Sequence, residues 1–345
     1  MSLLEHEGPT MHRPTTGPGG RTYGFGDLRQ AAEAGIRAPS LYNSQPWLFR
    51  LRESAIEVRI DPGRRLDAAD RTGWAARLAC GAATYNARLA LTAAGSPADV
   101  HLLPDPTDRD LIAWLVPAHP RPATYAERDL FAAVPRRYSN RAPFWPDPVP
   151  PETRVQLIEA ARTESAWLDL LVGMTALSAF SEIAHSADRV LRRDTGYQAE
   201  LIAWTHADAA PDGVPVSAGG SAGEPHDLLP QRAFADRRRV PGHDYEPEPL
   251  IGILGVPGDR AVDQVAAGQA LQRVLLTAAD AGLNTSMISQ PIEVPAARDQ
   301  LRRSLGRSGY PQLAIRFGYG TPSHPTRRRD VTEVLSGYPW EGEQR

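Results

Sequence analysis

Three polar stretches hold the residues with chemical reach. The first, APSLYNSQPW at residues 38–47, sets Ser40, Asn43 and Gln45 between Pro39 and Pro46. The prolines stiffen the backbone while the side chains offer donors and acceptors, which suits a surface that reads the edge of a flat polar ligand. The plainer reading is a turn that ends a helix. The second, PRRYSNRAPF at 135–144, holds Arg136, Arg137, Ser139 and Arg141, and the third, SHPTRRRD at 323–330, holds Arg327, Arg328 and Arg329. An isolated arginine run is ordinarily a solvated face. Three guanidiniums beside a serine can also form the bidentate cradle that a phosphate monoester, with nearly two charges, requires. No lysine occurs, so every fixed cation is an arginine and Schiff-base chemistry through lysine is excluded.

Other chemistries find less support. Gly219-Gly220-Ser221-Ala222-Gly223 meets the spacing of a serine nucleophile elbow, but that motif needs a strand before it and a helix after it, and EPHDLLPQ opens no helix. The nine histidines show neither H-E-x-x-H nor zinc spacing, and His226-Asp227 and His243-Asp244 read as loop surface. No Walker loop and no G-x-G-x-x-G between strand and helix occurs. Cys80, the single cysteine, rules out an internal disulfide, reads as a buried packing residue in LACGAAT and fits a reducing, cytoplasmic setting. A formal charge of -3 and a pI near 6.3 argue against a wide basic face for nucleic acid. No apolar run approaches the ~18 residues needed to span a bilayer.

The elements that must position these stretches are mixed. Alternation and β-branching predict strands at 55–61, 98–103, 111–116, 166–171, 249–255 and 311–318. Helical periodicity predicts helices at 25–36, 73–94, 151–162, 173–190, 261–281 and 294–304. The helix over 261–281 stops at Gly282, a good left-handed cap. Gly81–Gly95 can be laid on Gly268–Gly282 without a gap, and each segment runs into an expected strand, so an internal duplication stands as an alternative to chance. Residues 1–21 are expected to be a disordered leader. Residues 22–122 are expected to form one half, and 123–345 a second half with a lid at 206–248, where glycine, proline and arginine replace periodicity.

Taken together, APSLYNSQPW, RRYSNR, GLNTSMISQPIE and RRR resemble the flavin-binding signature of the nitroreductase superfamily. Ordinary members carry R-x-S-x-[RK] near the start, a P-S-x-x-N-x-Q-P-W loop some thirty residues on and a basic pair near the end. Here the proline-bounded loop comes first and the other parts lie in the second half. That order resembles the Acg-type branch, in which one chain imitates a two-subunit dimer, and the likeness spans roughly residues 25 to 338.

The resemblance implies an α+β fold of two fused lobes, antiparallel sheets flanked by helices, with one FMN in a composite pocket and the reciprocal pocket empty. Carried over by position, it implies that Arg137 and Ser139, with Arg136 beside them, hold the phosphate and that Arg141 lies near the ring's pyrimidine edge. Arg327 and Arg329 would be further phosphate partners. Ser40 and Asn43, with Gln45 as a neighbour, would approach from the opposite half, and Ser289 and Gln290 would face flavin N5. Two departures stand out: an extra residue between Arg141 and Phe144, and Ser-Gln where the family has an acidic-glycine pair.

The implied activity is two-electron hydride transfer between NAD(P)H or an organic donor and a small conjugated molecule, by a monomer or weak homodimer. The alternatives are an FMN-sequestering protein closed by its lid, and a flavin-free remnant acting through protein contacts.

Overall fold

A computed structural model describes residues 17–208, 210–219, 227–232, 234, 248–322 and 325–336. In the first lobe, α1 (Phe25–Gly35) precedes β1 (Trp47–Arg52) and β2 (Ala55–Ile60); α2 (Trp74–Ala93) follows, then β3 (Ala98–Leu102) and β4 (Leu111–Pro117). A short α3 (Tyr125–Ala133) leads into the second lobe, which holds α4 (Pro151–Thr163), β5 (Trp167–Leu171), α5 (Met174–Arg193) and α6 (Thr195–Ala203). A two-residue pair, β6 (Thr205–His206) and β7 (Val214–Pro215), comes next. The chain closes with β8 (Leu250–Val256), α7 (Ala261–Asp280), β9 (Asn284–Ile288), α8 (Gln290–Glu293), α9 (Pro295–Ser304), β10 (Tyr310–Gly318) and α10 (Val331–Val334).

Each lobe is built on a four-stranded antiparallel sheet, with strand orders β1-β2-β4-β3 and β5-β8-β10-β9. Substituting β5, β8, β9 and β10 for β1, β2, β3 and β4 turns one order into the other. The helices match as well, α1 with α4 and α2 with α7. The chain therefore folds one unit twice.

The two long helices cross where their side chains vanish. A Cβ on Gly81 would lie 2.1 Å from the Val265 carbonyl oxygen, and one on Gly268 would lie 2.1 Å from the Leu78 oxygen. These contacts are mirror images under the Gly81-to-Gly268 alignment, so a pseudo-two-fold axis passes through the crossing. The helix ends repeat each other too. Gly95 and Gly282 both sit at φ 76°, and Ser96 N–H to Leu91 O and Leu283 N–H to Ala278 O, 2.8 Å each, close the same cap. Across the interface Gln272 donates to Asn86 Oδ1 at 2.8 Å and Asn86 donates to Ala34 O at 3.0 Å, which satisfies the buried Asn86 amide and leaves Gln272 Oε1 without a partner.

Each lobe lends an arm to the other. The segment after α3 reaches the edge strand β9, where Asn140 N–H donates to Thr285 O at 2.8 Å. The last described residues return to β1, where Ser336 N–H donates to Phe49 O at 2.9 Å and Val331, Val334 and Leu335 join the first lobe's core. Residues 17–21, expected in the leader, form a 3-10 turn whose Arg21 donates to Ser96; residues 1–16 lie outside the described residues. Strands β1 and β9 and helices α3 and α6 were not anticipated. Among the described residues no helix is long and apolar enough to cross a membrane, and no cluster of metal-ligating side chains occurs.

Candidate functional site

A cavity of about 980 Å³, counted out to its mouth, opens between the lobes. The first lobe supplies the loop Pro39–Tyr42 and one face of α2; the second supplies α7, β9, β10 and the start of α8. Leu78, Leu271, Met287, Ile288 and Leu313 make its walls largely apolar, and Arg141, Ser289 and Gln290 add polar groups, the usual make-up of a ligand pocket.

The loop is held in a conformation that side chains rarely choose. Tyr42, Asn43 and Gln45 have φ of 53°, 55° and 52°, in the left-handed region. The hydrogen bonds explain how it persists. Ser40 Oγ accepts from Gln45 N–H at 2.9 Å. Gln45 donates to Pro211 O at 2.9 Å and its Oε1 accepts from Arg329 N–H at 2.9 Å, while Asn43 donates to Gly213 O at 3.0 Å and Arg327 O at 3.1 Å. Asn43 and Gln45 thus tie three distant segments together: the loop, the start of the expected lid and the C-terminal arm. These bonds are to the protein itself and, unlike Ser40, neither residue lines the cavity, although Asn43 Oδ1 is buried without a partner.

Beside the loop lies a group of cations without a counter-ion. Arg137 is 6% exposed; one N–H donates to Arg37 O at 3.2 Å, and its Nε and Nη1 have no partner. Burial lowers this guanidinium to about 10. Arg328 donates to Ala38 O at 3.1 Å, its Nε is also unpartnered, and burial together with the charges of Arg137 and Arg37 lowers it to about 9. No carboxylate among the described residues pairs with Arg137 or Arg328. Buried cations are ordinarily paired. Arg137 directs Nε and Nη1 at nothing in the protein, while Arg328 spends Nη1 on Thr326 and Arg327 and leaves only Nε free; two cations so placed without a carboxylate are what an anion's binding place looks like before the anion is counted.

The structure sorts the remaining arginines differently from the sequence expectation. Arg136 is on the surface, half exposed and paired with Asp280 at 3.1 Å, so it faces away from the cavity. Arg329 is buried, but its guanidinium donates to Gln45 O at 3.3 Å and Trp47 O at 3.2 Å and meets Asp61 at 3.5 Å. It holds the loop. Arg327 is exposed and contributes its carbonyl to Asn43. Arg328, the middle member that the position-by-position reading skipped, reaches the cationic group instead. Ser139 is half-buried and bridges to Thr285 through its backbone, outside the cavity lining.

Inside the cavity, Arg141 donates to Ala218 O at 3.1 Å and lies 4.8 Å from the Phe234 ring; burial and the charge of Arg232 lower it to about 10. Ser289 and Gln290 both line the wall, and Ser289 Oγ accepts from Arg232 at 3.2 Å. Arg232 and Phe234 belong to the segment expected as a lid, and sequence reasoning missed both. Arg232 pairs with the buried Glu293 at 2.6 Å and lies 5.0 Å over Tyr42 and 5.8 Å over Tyr197. Burial opposes its charge, but Glu293, Tyr197 and Tyr42 raise its pKa above the ordinary value. Of the G-x-S-x-G match only Gly219 is described, and His226, His243 and Asp244 lie outside the described residues.

Comparison with known proteins bears on a chain so arranged. It is 31% identical to "Putative NAD(P)H nitroreductase Rv3131" of Mycobacterium tuberculosis over 316 residues, covering 89% of this chain and 90% of the relative. It is 30% identical to "Putative NAD(P)H nitroreductase acg" of the same organism over 319 residues, covering 89% and 95%. The chain belongs to the nitroreductase superfamily, in its Acg-type branch. A further relative, "Uncharacterized protein Rv3127" of Mycobacterium tuberculosis, is 30% identical over 324 residues, covering 89% and 92%. No family model matches the chain. Among solved structures, the FMN- and NADPH-dependent nitroreductase NfnB from a Sphingopyxis strain superposes with TM-score 0.40 at 16% identity, over 61% of this chain and 99% of its own. A nitroreductase with bound FMN from Desulfitobacterium hafniense gives 0.39 at 12%, over 59% and 96%.

Proposed function

We propose that this Acg-type chain binds one FMN between its lobes and acts as an FMN-dependent oxidoreductase, with NAD(P)H or a reduced organic molecule as donor and a small conjugated molecule as acceptor. The observation that carries the reading is the guanidinium pair Arg137 and Arg328, without a carboxylate partner, which meets the backbone of Arg37 and Ala38 just ahead of Pro39 and Ser40, where the chain begins to line the apolar cleft; neither guanidinium lines that cleft itself. A phosphate monoester satisfies both cations and their orphan N–H groups, while the apolar walls suit a tricyclic aromatic ring. Riboflavin without its phosphate would leave the cations unpaired. The names of the relatives in Mycobacterium tuberculosis add support for a nicotinamide-linked nitroreductase activity.

When bound, FMN supplies hydride acceptance and donation at its ring. The chain's own part is position and field. Arg137 and Arg328 would hold the phosphate, Arg141 in the cavity would stabilise negative charge on the ring, and the walls exclude water, which strengthens each of these interactions. One site per chain is supported by an asymmetry in the connections. Residues 36–46 join α1 to β1 and form the ligand-facing loop, whereas only residues 164–166 join α4 to β5.

A second reading, sequestration of FMN, is favoured by one feature: Arg232 and Phe234 reach into the cavity from the lid segment, and Arg232 is ion-paired there. Two measurements on the purified protein decide. The oxidoreductase reading expects about one FMN per chain and bleaching of that flavin by NADH or NADPH within the turnover time. Full flavin without bleaching favours sequestration, and a colourless protein that takes up no FMN sinks both.

A further inference from the structure

Tyr42 does not need its hydroxyl for packing. Its side chain is 3% exposed, it lines the cavity, and its Oη makes no hydrogen bond of ordinary geometry, with the Tyr197 hydroxyl within electrostatic reach of it. Its ring packs edge-on against Tyr197 and Phe234, with centroids 6.2 and 6.1 Å away. A phenylalanine would keep both contacts without burying an unsatisfied polar atom. The backbone at Tyr42 is also costly, since φ 53° is unusual for an aromatic residue, and such strain collects where function maintains it. The side chains of Asn43 and Gln45 fix that conformation by gripping residues 211, 213, 327 and 329.

The surroundings of the hydroxyl suit the release and recovery of a proton. Burial holds it protonated, pushed up to about 12, while the Arg232 cation 5.0 Å over the ring pulls the other way and would stabilise a phenolate. Beside it, Tyr197 donates its O–H to Glu293 at 3.0 Å and can turn that O–H toward Tyr42.

We propose that Tyr42 is the proton donor of this site, giving Oη–H to the substrate atom that becomes anionic when the substrate accepts a hydride. The assignment rests on the oxidoreductase reading, with NAD(P)H as the ultimate reductant. A quinone that has gained a hydride holds two more electrons, and the displaced π pair leaves one oxygen negative. The Tyr42 O–H bond breaks as that oxygen gains its hydrogen, and the hydroquinone leaves neutral. The Tyr42 phenolate remains beside Arg232 and recovers its proton from water.

The test compares the FMN-loaded wild type with Tyr42→Phe. Bleaching of the bound flavin by NAD(P)H, and reoxidation by ferricyanide, which takes electrons without protons, should match in the two proteins. Reoxidation by menadione should slow at least tenfold in Tyr42→Phe, with loss of the wild type's solvent deuterium isotope effect. The urea midpoint of the flavin-free variant should equal or exceed the wild type's, because an orphan hydroxyl has gone. Equal menadione rates overturn the assignment, and so does a lowered midpoint with every rate reduced alike, which would make the hydroxyl structural. A wild type that takes up no FMN, or is not bleached, defeats the oxidoreductase reading and this assignment with it, and does so before any variant is made.

Discussion

Replacing Arg137 with methionine should move two quantities in opposite directions. Without ligand, the guanidinium is buried and lowered from 12.5 to about 10, a change worth about 3 kcal/mol against the charged form. A basic group depressed in the folded state destabilises the fold wherever it is charged in both states. The cost is therefore fully present below pH 10, declines as pH rises from 10, and is gone above 12.5. Methionine removes that cost and keeps much of the side chain's volume, but it gives up the bond to Arg37 O, worth about 1 kcal/mol. The flavin-free variant should therefore be about 2 kcal/mol more stable at neutral pH. With FMN the sign reverses. Two orphan donors, Nε and Nη1, are free to make charge-assisted bonds worth about 1.5–3 kcal/mol each, so their loss should weaken binding by about 3–6 kcal/mol, or ~10²–10⁴-fold. Urea unfolding of the flavin-free protein and quenching of FMN fluorescence measure the two effects, and riboflavin serves as the control, since it lacks the phosphate and should bind both proteins alike. A variant that loses stability without ligand, or that loses affinity for riboflavin as much as for FMN, would refute the assignment of Arg137 to a phosphate.

Three further outcomes test the neighbouring assignments. Arg328→Met should weaken FMN binding at least tenfold in the same titration, whereas Arg136→Ala, at a half-exposed pair with Asp280, should leave it unchanged. Gly268→Ala pushes a Cβ to 2.1 Å from the Leu78 carbonyl at the lobe crossing and should cost about 1–3 kcal/mol in urea unfolding, since backbone meets backbone and neither helix can yield cheaply. Asp70 caps α2 through the N–H groups of Ala75 and Ala76, and burial raises its carboxyl to about 6. A raised carboxyl contributes stability that is fully present below about pH 4 and lost as pH rises through 6, up to about 3 kcal/mol. Asp70→Asn should flatten that part of the melting-temperature profile between pH 4 and 6.

The lid segment brings structure and chemistry into contact. Arg64 on the first lobe pairs with Asp212, Asn43 and Gln45 hold Gly213 and Pro211, and Arg232 pairs with Glu293. The described parts of the segment are therefore anchored at both sides of the cavity mouth by buried or half-buried polar groups. Such contacts depend on geometry that only the folded lobes provide.

Much of the architecture follows from sequence alone because it rests on local periodicity and punctuation. The long helices at 74–93 and 261–280 show themselves through sustained apolar content and end at Gly95 and Gly282, where only a left-handed cap fits. The alignment of Gly81 with Gly268 already hinted at a repeated unit, and the matching strand orders and reciprocal glycine contacts establish it. Strand β9, NTSMI, was illegible because its polar residues face the cavity and the arm rather than solvent. At the site, composition located the arginine-rich stretches, but the choice among their members belongs to tertiary structure. In an extended segment successive side chains point to opposite sides, so a register change of one residue exchanges Arg328 for Arg327 or Arg329. Arg136 closes a 3-10 turn and Arg137 is the extended residue that follows it, so the end of that turn separates the surface guanidinium from the buried one. No local pattern reveals that Asn43 and Gln45 grip the distant chain, or that Arg232 crosses the cavity to Glu293. Sequence fixes which groups are present, and the packing of two lobes and their exchanged arms decides which of those groups are left without a partner.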